Sequence, residues 1–320
     1  MDRGVHLDEF LSPRVLIVVG KGGVGKTTVA AALGHVAARS GRKTLIVEVE
    51  GKDTLSRMLA IRPLSYREDQ VGPNLWARTI SPEEALVEYF QDHNMGRLSR
   101  RLAKSNVFDY VATAVPGLKD IIVLGRIKAL ANEGVYDTIV VDSPAAGHAV
   151  VFLTGAKGIV DAVRTGPIRQ QALEVLDLLE DTARTRVQLV TLPEETPVNE
   201  TIETKQRILD RVNVSLGPIV VNAWIAPSVE PPPTPDDVAA LAASSGATVD
   251  ADVASSLSAA ARFRAARRQL QDDQTARLEA EIGLPLVRMP FCFAADFGPG
   301  EVEAMAASLE EELGGTGAAA

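Results

Sequence analysis

The chain is poor in the residues on which metal and redox chemistry usually depend. Its 320 residues include one cysteine, Cys292, and four histidines. A single cysteine excludes an internal disulfide, and it excludes an iron–sulfur cluster or a Cys-rich zinc site built by this chain alone. The low cysteine content is consistent with a reducing compartment.

The sequence also lacks long apolar runs and an excess of positive charge. No stretch approaches the roughly 20 apolar residues of a membrane-spanning helix, and residues 1–13 show no cationic region followed by an apolar run. Lysine and arginine number 33 against 42 acidic residues, for a formal net charge of −9, which disfavours broad adhesion to nucleic acid or anionic lipid. We therefore expect a cytoplasmic protein without direct membrane insertion.

Aromatic residues make up only 4% of the chain, so the core must be built from Val, Leu, Ile and Ala. Short apolar runs rich in β-branched residues predict strands at 15–19, 45–49, 138–141, 187–192, 219–221 and, more weakly, 284–288. Segments with helical spacing lie between or after them at 27–40, 118–132, 201–212 and 301–313. This alternation predicts an α/β fold with a doubly wound, mostly parallel sheet.

Two regions interrupt the alternation of strands and helices. Residues 82–117 have a helical pattern without a strand, and residues 227–283 open with a proline-rich linker and end in a predicted helix over 263–281. We interpret residues 1–320 as one domain with a helical insertion and a linker followed by a helical region. Each region is either a lid or partner surface, or a simple cover for an edge of the sheet.

The clearest motif runs from Gly20 to Thr28, directly after the first predicted strand and before the first predicted helix. It matches G-x-x-x-x-G-K-[ST] in full. Such a loop turns backbone amides towards phosphate, while its lysine meets the terminal phosphates and its hydroxyl binds Mg²⁺. The predicted nucleotide-binding residues are Gly20, Gly22, Gly23, Val24, Gly25, Lys26, Thr27 and Thr28, with Thr27 also a metal ligand.

A second lysine, Lys21, follows the first glycine, so the motif reads KGGVGKTT. This resembles the deviant phosphate-loop family, which includes the arsenite-pump ATPase ArsA, the targeting ATPase for tail-anchored proteins, the nitrogenase iron protein, and the MinD and ParA positioning ATPases. In that family the extra lysine reaches across a dimer interface to the partner's nucleotide. The resemblance therefore implies a catalytic role for Lys21 in a nucleotide-sandwich dimer, and the alternative is a solvated loop lysine.

Residues 136–148 resemble the switch II segment of the ArsA and tail-anchor-targeting ATPases, although residues 143–146 depart from its pattern. The resemblance implies that Asp142 holds a Mg²⁺-bound water and that Gly147 and His148 form a nucleotide-sensing hinge. A carboxylate that ends a strand beside the phosphate loop suits this role. For His148 the structural alternative is a histidine that only supports the fold.

Three later residues match the family's adenine site. Asn222, at the end of a predicted strand, corresponds to the asparagine that reads the base, and an amide can both donate to and accept from adenine. Pro290 and Phe291 resemble the segment that closes over the base. A turn asparagine and a core phenylalanine are the structural alternatives.

The first switch departs from the family. With the register fixed by Leu55 and Ser56, Glu50 stands where the family has the aspartate that orients the attacking water. One extra methylene moves the carboxylate by about 1.5 Å, and misplacement of that order can reduce the rate on the order of a hundredfold. We expect slow or partner-dependent hydrolysis, with Glu48 and Asp53 as alternative acids.

Further departures narrow the implied function. Residues 261–268 match a stretch that carries cysteines in well-known relatives but contain none, so arsenite chemistry and a zinc clip are unsupported. The acidic C-terminal segment does not resemble a basic membrane-binding helix. The closest likeness is to short, cysteine-poor ArsA-like ATPases of actinobacteria.

The resemblance implies a switch that uses ATP and Mg²⁺ as a homodimer, or as a heterodimer with a related ATPase, and couples hydrolysis to a protein client or membrane-protein partner. The alternative is a catalytically weak, nucleotide-bound scaffold subunit. A positioning ATPase of the MinD or ParA type is less favoured, because only the arginines at 262–268 would offer a basic surface.

Overall fold

The computed structural model describes residues 6–49, 53–92, 117–144, 146–226, 234–294 and 296–314. Its strands are β1 (Val15–Val19), β2 (Thr44–Val49), β3 (Asp69–Gly72), β4 (Leu75–Ile80), β5 (Thr138–Asp142), β6 (Thr185–Thr191), β7 (Ile219–Trp224) and β8 (Leu286–Pro290). They form one eight-stranded sheet in the order β3-β4-β2-β5-β1-β6-β7-β8. Every neighbouring pair is parallel except β3 with β4, which confirms the predicted fold class.

Eleven helices of the described residues cover this sheet. They are α1 (Leu7–Phe10), α2 (Lys26–Arg39), α3 (Thr54–Met58), α4 (Pro82–Asp92), α5 (Leu118–Glu133), α6 (Ala146–Ala162), α7 (Pro167–Glu180), α8 (Glu195–Leu209), α9 (Pro235–Ser244), α10 (Ala251–Ile282) and α11 (Pro299–Gly314). None of the helices in the described part of the chain is both long and apolar enough to span a bilayer.

The sheet is buried on both faces, as its near-continuous apolar strands require. Along β1, Val15, Ile17 and Val19 pack with α5, α6 and α7 on one face. Leu16 and Val18 point to the opposite face, where they pack with α2 and α11. Small alanine side chains let α2 lie close to the sheet, consistent with a core that has few aromatic residues.

Two strands at one edge of the sheet were not predicted. β4 contains the buried, charged Arg78, and β3 reads Asp-Gln-Val-Gly, so neither forms an apolar run. β4 pairs in continuous register with β2, and β3 pairs with β4 across a register shift between Gln70 and Gly72. Strands of this composition can pair because the strand hydrogen bonds form between backbone groups.

The region over 227–283 is more helical than its sequence predicted. α9 and the first part of α10 occupy the Ala/Ser segment, and Thr234 and Asp250 cap the two helices with side-chain oxygens. Alanine is the best helix former, so two good caps suffice to start helices there. The proline-rich residues 227–233 lie outside the described part of the chain.

The first predicted insertion is described only in part. α4 occupies 82–92, in agreement with the helical pattern, and residues 93–116 lie outside the described residues. The interpretation of the chain as one domain with two helical additions stays a prediction.

Candidate active site

The predicted phosphate, metal and base groups meet at one edge of the sheet. The loop after β1, Asp142 at the end of β5 and Asn222 in the last part of β7 all lie at carboxyl ends of parallel strands. β1 is flanked by β5 on one side and β6 on the other. In open α/β sheets, ligands bind in the crevice outside these strand ends.

The loop between β1 and α2 has the backbone that its glycines permit. Gly23 and Gly25 have φ values of +90° and +88°, and Gly25 is the N-cap of α2. A Cβ on Gly20 would lie 2.4 Å from the Val190 carbonyl oxygen, so only glycine fits between this loop and β6. Val24 is buried in the core on the α2 face of the sheet and thereby holds the loop in place.

The first turn of α2 is a positive site without an acid of its own. No acidic residue of α2 itself lies in that turn, and the helix dipole and its free amides favour an anion there. The Lys26 ammonium folds back over the loop and donates to the Lys21 carbonyl oxygen at 3.1 Å. This arrangement can bind the phosphates of a nucleotide.

Thr27, a predicted metal ligand, and Asp142, predicted to act at the same Mg²⁺ through a bound water, are in direct contact, and their binding of the metal stays a prediction. The Thr27 hydroxyl donates to Asp142 Oδ2 at 2.7 Å. Ser143 fixes the end of β5, because its hydroxyl donates to the Val18 carbonyl oxygen at 2.6 Å. Ligand oxygens at adjacent corners of a Mg²⁺ octahedron lie about 3 Å apart, since each bond is about 2.1 Å long. The two side chains therefore fit Mg²⁺ as a hydroxyl and a carboxylate ligand.

Asn222 supports the phosphate loop directly. Its amide nitrogen donates to the Val24 carbonyl oxygen at 2.9 Å, and a Cβ on Gly25 would lie 2.2 Å from the same nitrogen. β7 is thereby tied to the loop. The proposed reading of adenine by Asn222 stays a prediction.

The segment predicted to close over the base lies beside the same strand end. Pro290 ends β8, and the Phe291 amide donates to the Trp224 carbonyl oxygen at 2.8 Å. Phe291 is 40% exposed, so it is a surface residue rather than a core phenylalanine. The centroid of its ring lies 4.6 Å from that of the Phe293 ring. Phe293 is 75% exposed and was not predicted as a site residue.

Lys21 has a partner within its own chain. Its ammonium lies 2.8 Å from Glu200 Oε1 on α8, and the two side chains are 37% and 39% exposed. Nothing local in the sequence identifies Glu200, because it is 179 residues away and belongs to no motif. The bridge places Lys21 at the rim of the site.

Glu48, near the end of β2, is an acid that sequence reasoning considered only as an alternative to Glu50. It is buried, and Oε1 accepts a hydrogen bond from the Leu55 amide at 3.2 Å. Burial raises the pKa of the Glu48 carboxyl, although the Leu55 amide and the neighbouring amides at the start of α3 favour its charged form. Glu50 lies outside the described residues. The predicted hinge residues Gly147 and His148 fall at the start of α6, where the His148 side chain is outside the described part of the chain.

A complete phosphate loop, with its threonine against a strand-end aspartate at the carboxyl edge of a mostly parallel sheet, defines a P-loop nucleotide hydrolase. Residues 13–165 match the family model ArsA_ATPase, described as an anion-transporting ATPase. The chain belongs to the ArsA ATPase family and is an ATP-hydrolysing P-loop protein.

Two named ATPases and one uncharacterized protein are among the relatives of this chain. ATPase BagA of Mycobacterium tuberculosis is 36% identical over 230 residues, which cover 68% of this chain and 67% of BagA. A putative arsenical pump-driving ATPase of Halobacterium salinarum is 26% identical over 232 residues, covering 65% of this chain and 35% of that protein. An uncharacterized protein of Streptomyces coelicolor, SCO2128, is 31% identical over 164 residues, covering 50% of this chain and 42% of its own.

Proposed function

We propose that the protein is a dimeric Mg·ATP switch that couples hydrolysis to the binding of a partner protein. The observation that carries this proposal is the Thr27–Asp142 contact beside a loop whose lysine and helix N-terminus are placed for phosphate. Mg²⁺ at that pair would supply the positive charge that neutralises the terminal phosphates.

The residues of the chain have separate tasks in this proposal. Loop amides and the start of α2 bind the phosphates, and the Lys26 ammonium leaves the Lys21 carbonyl oxygen to meet the terminal phosphate. Thr27 and Asp142 hold the metal. Asn222 keeps the loop in shape and reads the base, with Pro290 and Phe291 beside it. Glu50 orients the attacking water, a role taken from the family resemblance.

The dimer requires that Lys21 leave Glu200 for the phosphates of the partner. More than a third of each side chain is exposed, so water and salt screen the bridge. Such bridges are worth about 0–1 kcal/mol, which an ammonium–phosphate contact in a closed interface can replace. The observed bridge is therefore compatible with a lysine that changes partners on dimer formation.

Exposed apolar side chains on α9 and α10 support a partner-binding role. Leu241, Val253, Leu257, Phe263 and Leu270 are all at least 43% exposed. A concentration of such residues on two adjacent helices is typical of protein interaction surfaces. The partner in this proposal is a protein client or a membrane-protein complex, and the second protomer is another copy or a related ATPase.

Purified protein assayed for ATP binding and turnover tests the proposal. Lys26→Ala should abolish ATP binding, because it removes the ammonium that folds over the loop in position for the terminal phosphate. Lys205→Ala, which removes a lysine that bonds the Ile282 carbonyl oxygen away from the loop, is the matched control and should bind ATP normally. Wild-type protein that fails to bind Mg·ATP would contradict the proposal.

The competing scaffold function is favoured by glutamate rather than aspartate at position 50. It predicts that the isolated chain binds ATP but turns it over negligibly until a related ATPase is added. A switch that works as a homodimer instead shows turnover that rises with its own concentration. Measuring turnover against protein concentration, with and without the related chain, separates the two functions.

A further inference from the structure

Glu48 is a buried acid that none of the roles above uses. It is 3% exposed and lies one residue before the end of β2. On this strand Leu45 and Val47 pack on the α5 face, whereas Ile46 packs with α2. Since strand side chains alternate, Glu48 points to the face of α2.

Asp142 occupies the neighbouring position on the same face. Glu48 and Asp142 are paired residues in the parallel register of β2 and β5. Val140, two residues before Asp142, packs on the α2 face, so Asp142 also points there. Neighbouring strands lie about 4.8 Å apart, so the two acids leave the sheet side by side beneath the start of α2.

The two oxygens of Glu48 have different surroundings. Oε1 accepts from the Leu55 amide at the start of α3. Oε2 has no hydrogen-bond partner among the described residues, although it is fully buried. A buried oxygen without a partner is unfavourable for the fold, which is consistent with a role for Oε2 when a ligand is bound.

Capping of α3 alone does not account for a glutamate here. A neutral side chain with one acceptor oxygen would hold the Leu55 amide without burying a charge. Mg²⁺ bound at Thr27 and Asp142 would keep several of its waters, and those waters need acceptors. Oε2 is an acceptor of this kind on the strand that adjoins Asp142.

We propose that Glu48 is a positioning residue of the metal site, whose Oε2 accepts a hydrogen bond from a water bound to Mg²⁺ while Oε1 holds α3. This inference rests on the proposed binding of Mg·ATP. It links the metal to the start of α3 through the two oxygens of the Glu48 carboxylate.

The test is Glu48→Gln, which keeps one acceptor oxygen for the Leu55 amide and replaces the other by a donor. ATP binding is measured by calorimetry across a Mg²⁺ titration and again in EDTA. The Mg²⁺ concentration at which the gain in ATP affinity is half-maximal should rise at least about tenfold. Loss of other groups that orient metal ligands has an effect of this size. Affinity for ATP in EDTA should stay at the wild-type value.

A second readout follows α3 itself. Hydrogen exchange at the Leu55 amide should slow when Mg·ATP is added to the wild type, because the metal water holds the Glu48 carboxyl in place. In Glu48→Gln this added protection should be absent. Glu203→Gln makes the same chemical change on the exposed surface of α8, where Glu203 pairs with Arg207, and should behave as wild type in both measurements.

The outcomes separate the two proposals. Wild-type protein that binds no Mg·ATP would contradict the proposed function itself. If the wild type binds Mg·ATP and Glu48→Gln shows the same Mg²⁺ dependence as the wild type, only the role of Glu48 is overturned. If that variant does not fold, Glu48→Asp takes its place: it retracts both oxygens by one methylene, and wild-type Mg²⁺ dependence there would equally overturn the inference.

Discussion

Thr27 and Asp142 are 115 residues apart in the chain, yet their oxygens lie 2.7 Å from each other. Each was predicted from its own local motif, and the contact follows because β5 is the parallel neighbour of β1. Glu200 had no such signal, and Glu48 was considered only as an alternative to Glu50. Their contacts depend on which helix lies beside the loop and on strand register, neither of which a local motif supplies.

At the residue scale, Asn222 has one observed contact and one predicted role, and a substitution separates them. Asn222→Ala should lower the free energy of unfolding by about 1 kcal/mol, since it removes the hydrogen bond to the Val24 carbonyl oxygen. It should also reduce the preference for ATP over GTP. Denaturant unfolding and paired calorimetric titrations measure the two effects, and equal losses for both nucleotides would leave Asn222 with the loop-supporting role alone.

Two glycines provide a matched test of the phosphate loop. Gly20→Ala should destabilise the protein by at least about 2 kcal/mol, because its Cβ would meet the Val190 carbonyl oxygen at 2.4 Å. Gly158→Ala, inside α6 with no atom within 4 Å of the new Cβ, should stabilise by about 0.5–1 kcal/mol. Thermal unfolding of both variants checks the opposite signs, and a neutral Gly20→Ala would contradict the close approach of loop and β6.

At the scale of strands and helices, the strands that could be predicted are those with a regular apolar pattern. The buried strands β1, β2, β5, β6 and β7 have apolar runs because both of their faces are covered. β4 was not predicted because Arg78 interrupts its apolar pattern. The Arg78 guanidinium lies 3.3 Å from the Glu68 carboxylate and 4.4 Å from the centroid of the Tyr66 ring, and these contacts stabilise it in its buried position. Such compensation comes from residues on other elements, so a local pattern cannot reveal it.

Arg78 should therefore contribute far more to stability than a surface arginine of the same sheet edge. Its side chain is 4% exposed, whereas that of Arg62, which pairs with Asp69, is 78% exposed. Arg78→Met should destabilise by about 2–4 kcal/mol, because it leaves Glu68 without its cation in a partly buried site. Arg62→Met should change stability by less than about 0.5 kcal/mol. Urea unfolding compares the two, and similar values would contradict a supporting role for the Arg78 cluster.

At the scale of the whole molecule, exposed apolar residues concentrate in one part of the chain. Large exposed side chains at 241, 253, 257, 263, 270, 291 and 293 belong to α9, α10 and the segment after β8. Phe291, which was predicted to close over the base, is among them, and the Arg264 guanidinium of α10 lies 6.0 Å from the Phe293 ring. In the proposed function, the base and the partner would contact neighbouring residues, and a switch of this kind could couple them in that way.

The Lys21–Glu200 bridge gives the dimer proposal a quantitative consequence. Because the lysine must leave Glu200 before it reaches a partner's phosphates, Glu200→Gln should shift dimer formation with Mg·ATP to lower protein concentration. Each partly exposed bridge is worth at most about 1 kcal/mol, and a homodimer breaks two of them, which corresponds to a shift of about thirtyfold or less.

Lys21→Ala should instead remove the concentration-dependent part of the turnover while leaving ATP binding by the single chain intact. Sedimentation velocity and turnover, both measured against protein concentration, test the pair of variants. Glu203→Gln, one turn further along α8, controls for the lost charge. Turnover of Lys21→Ala that matches the wild type at every concentration would contradict the cross-dimer role. If the Glu200→Gln dimer is weaker than the wild-type dimer, the bridge supports the dimer rather than competing with it.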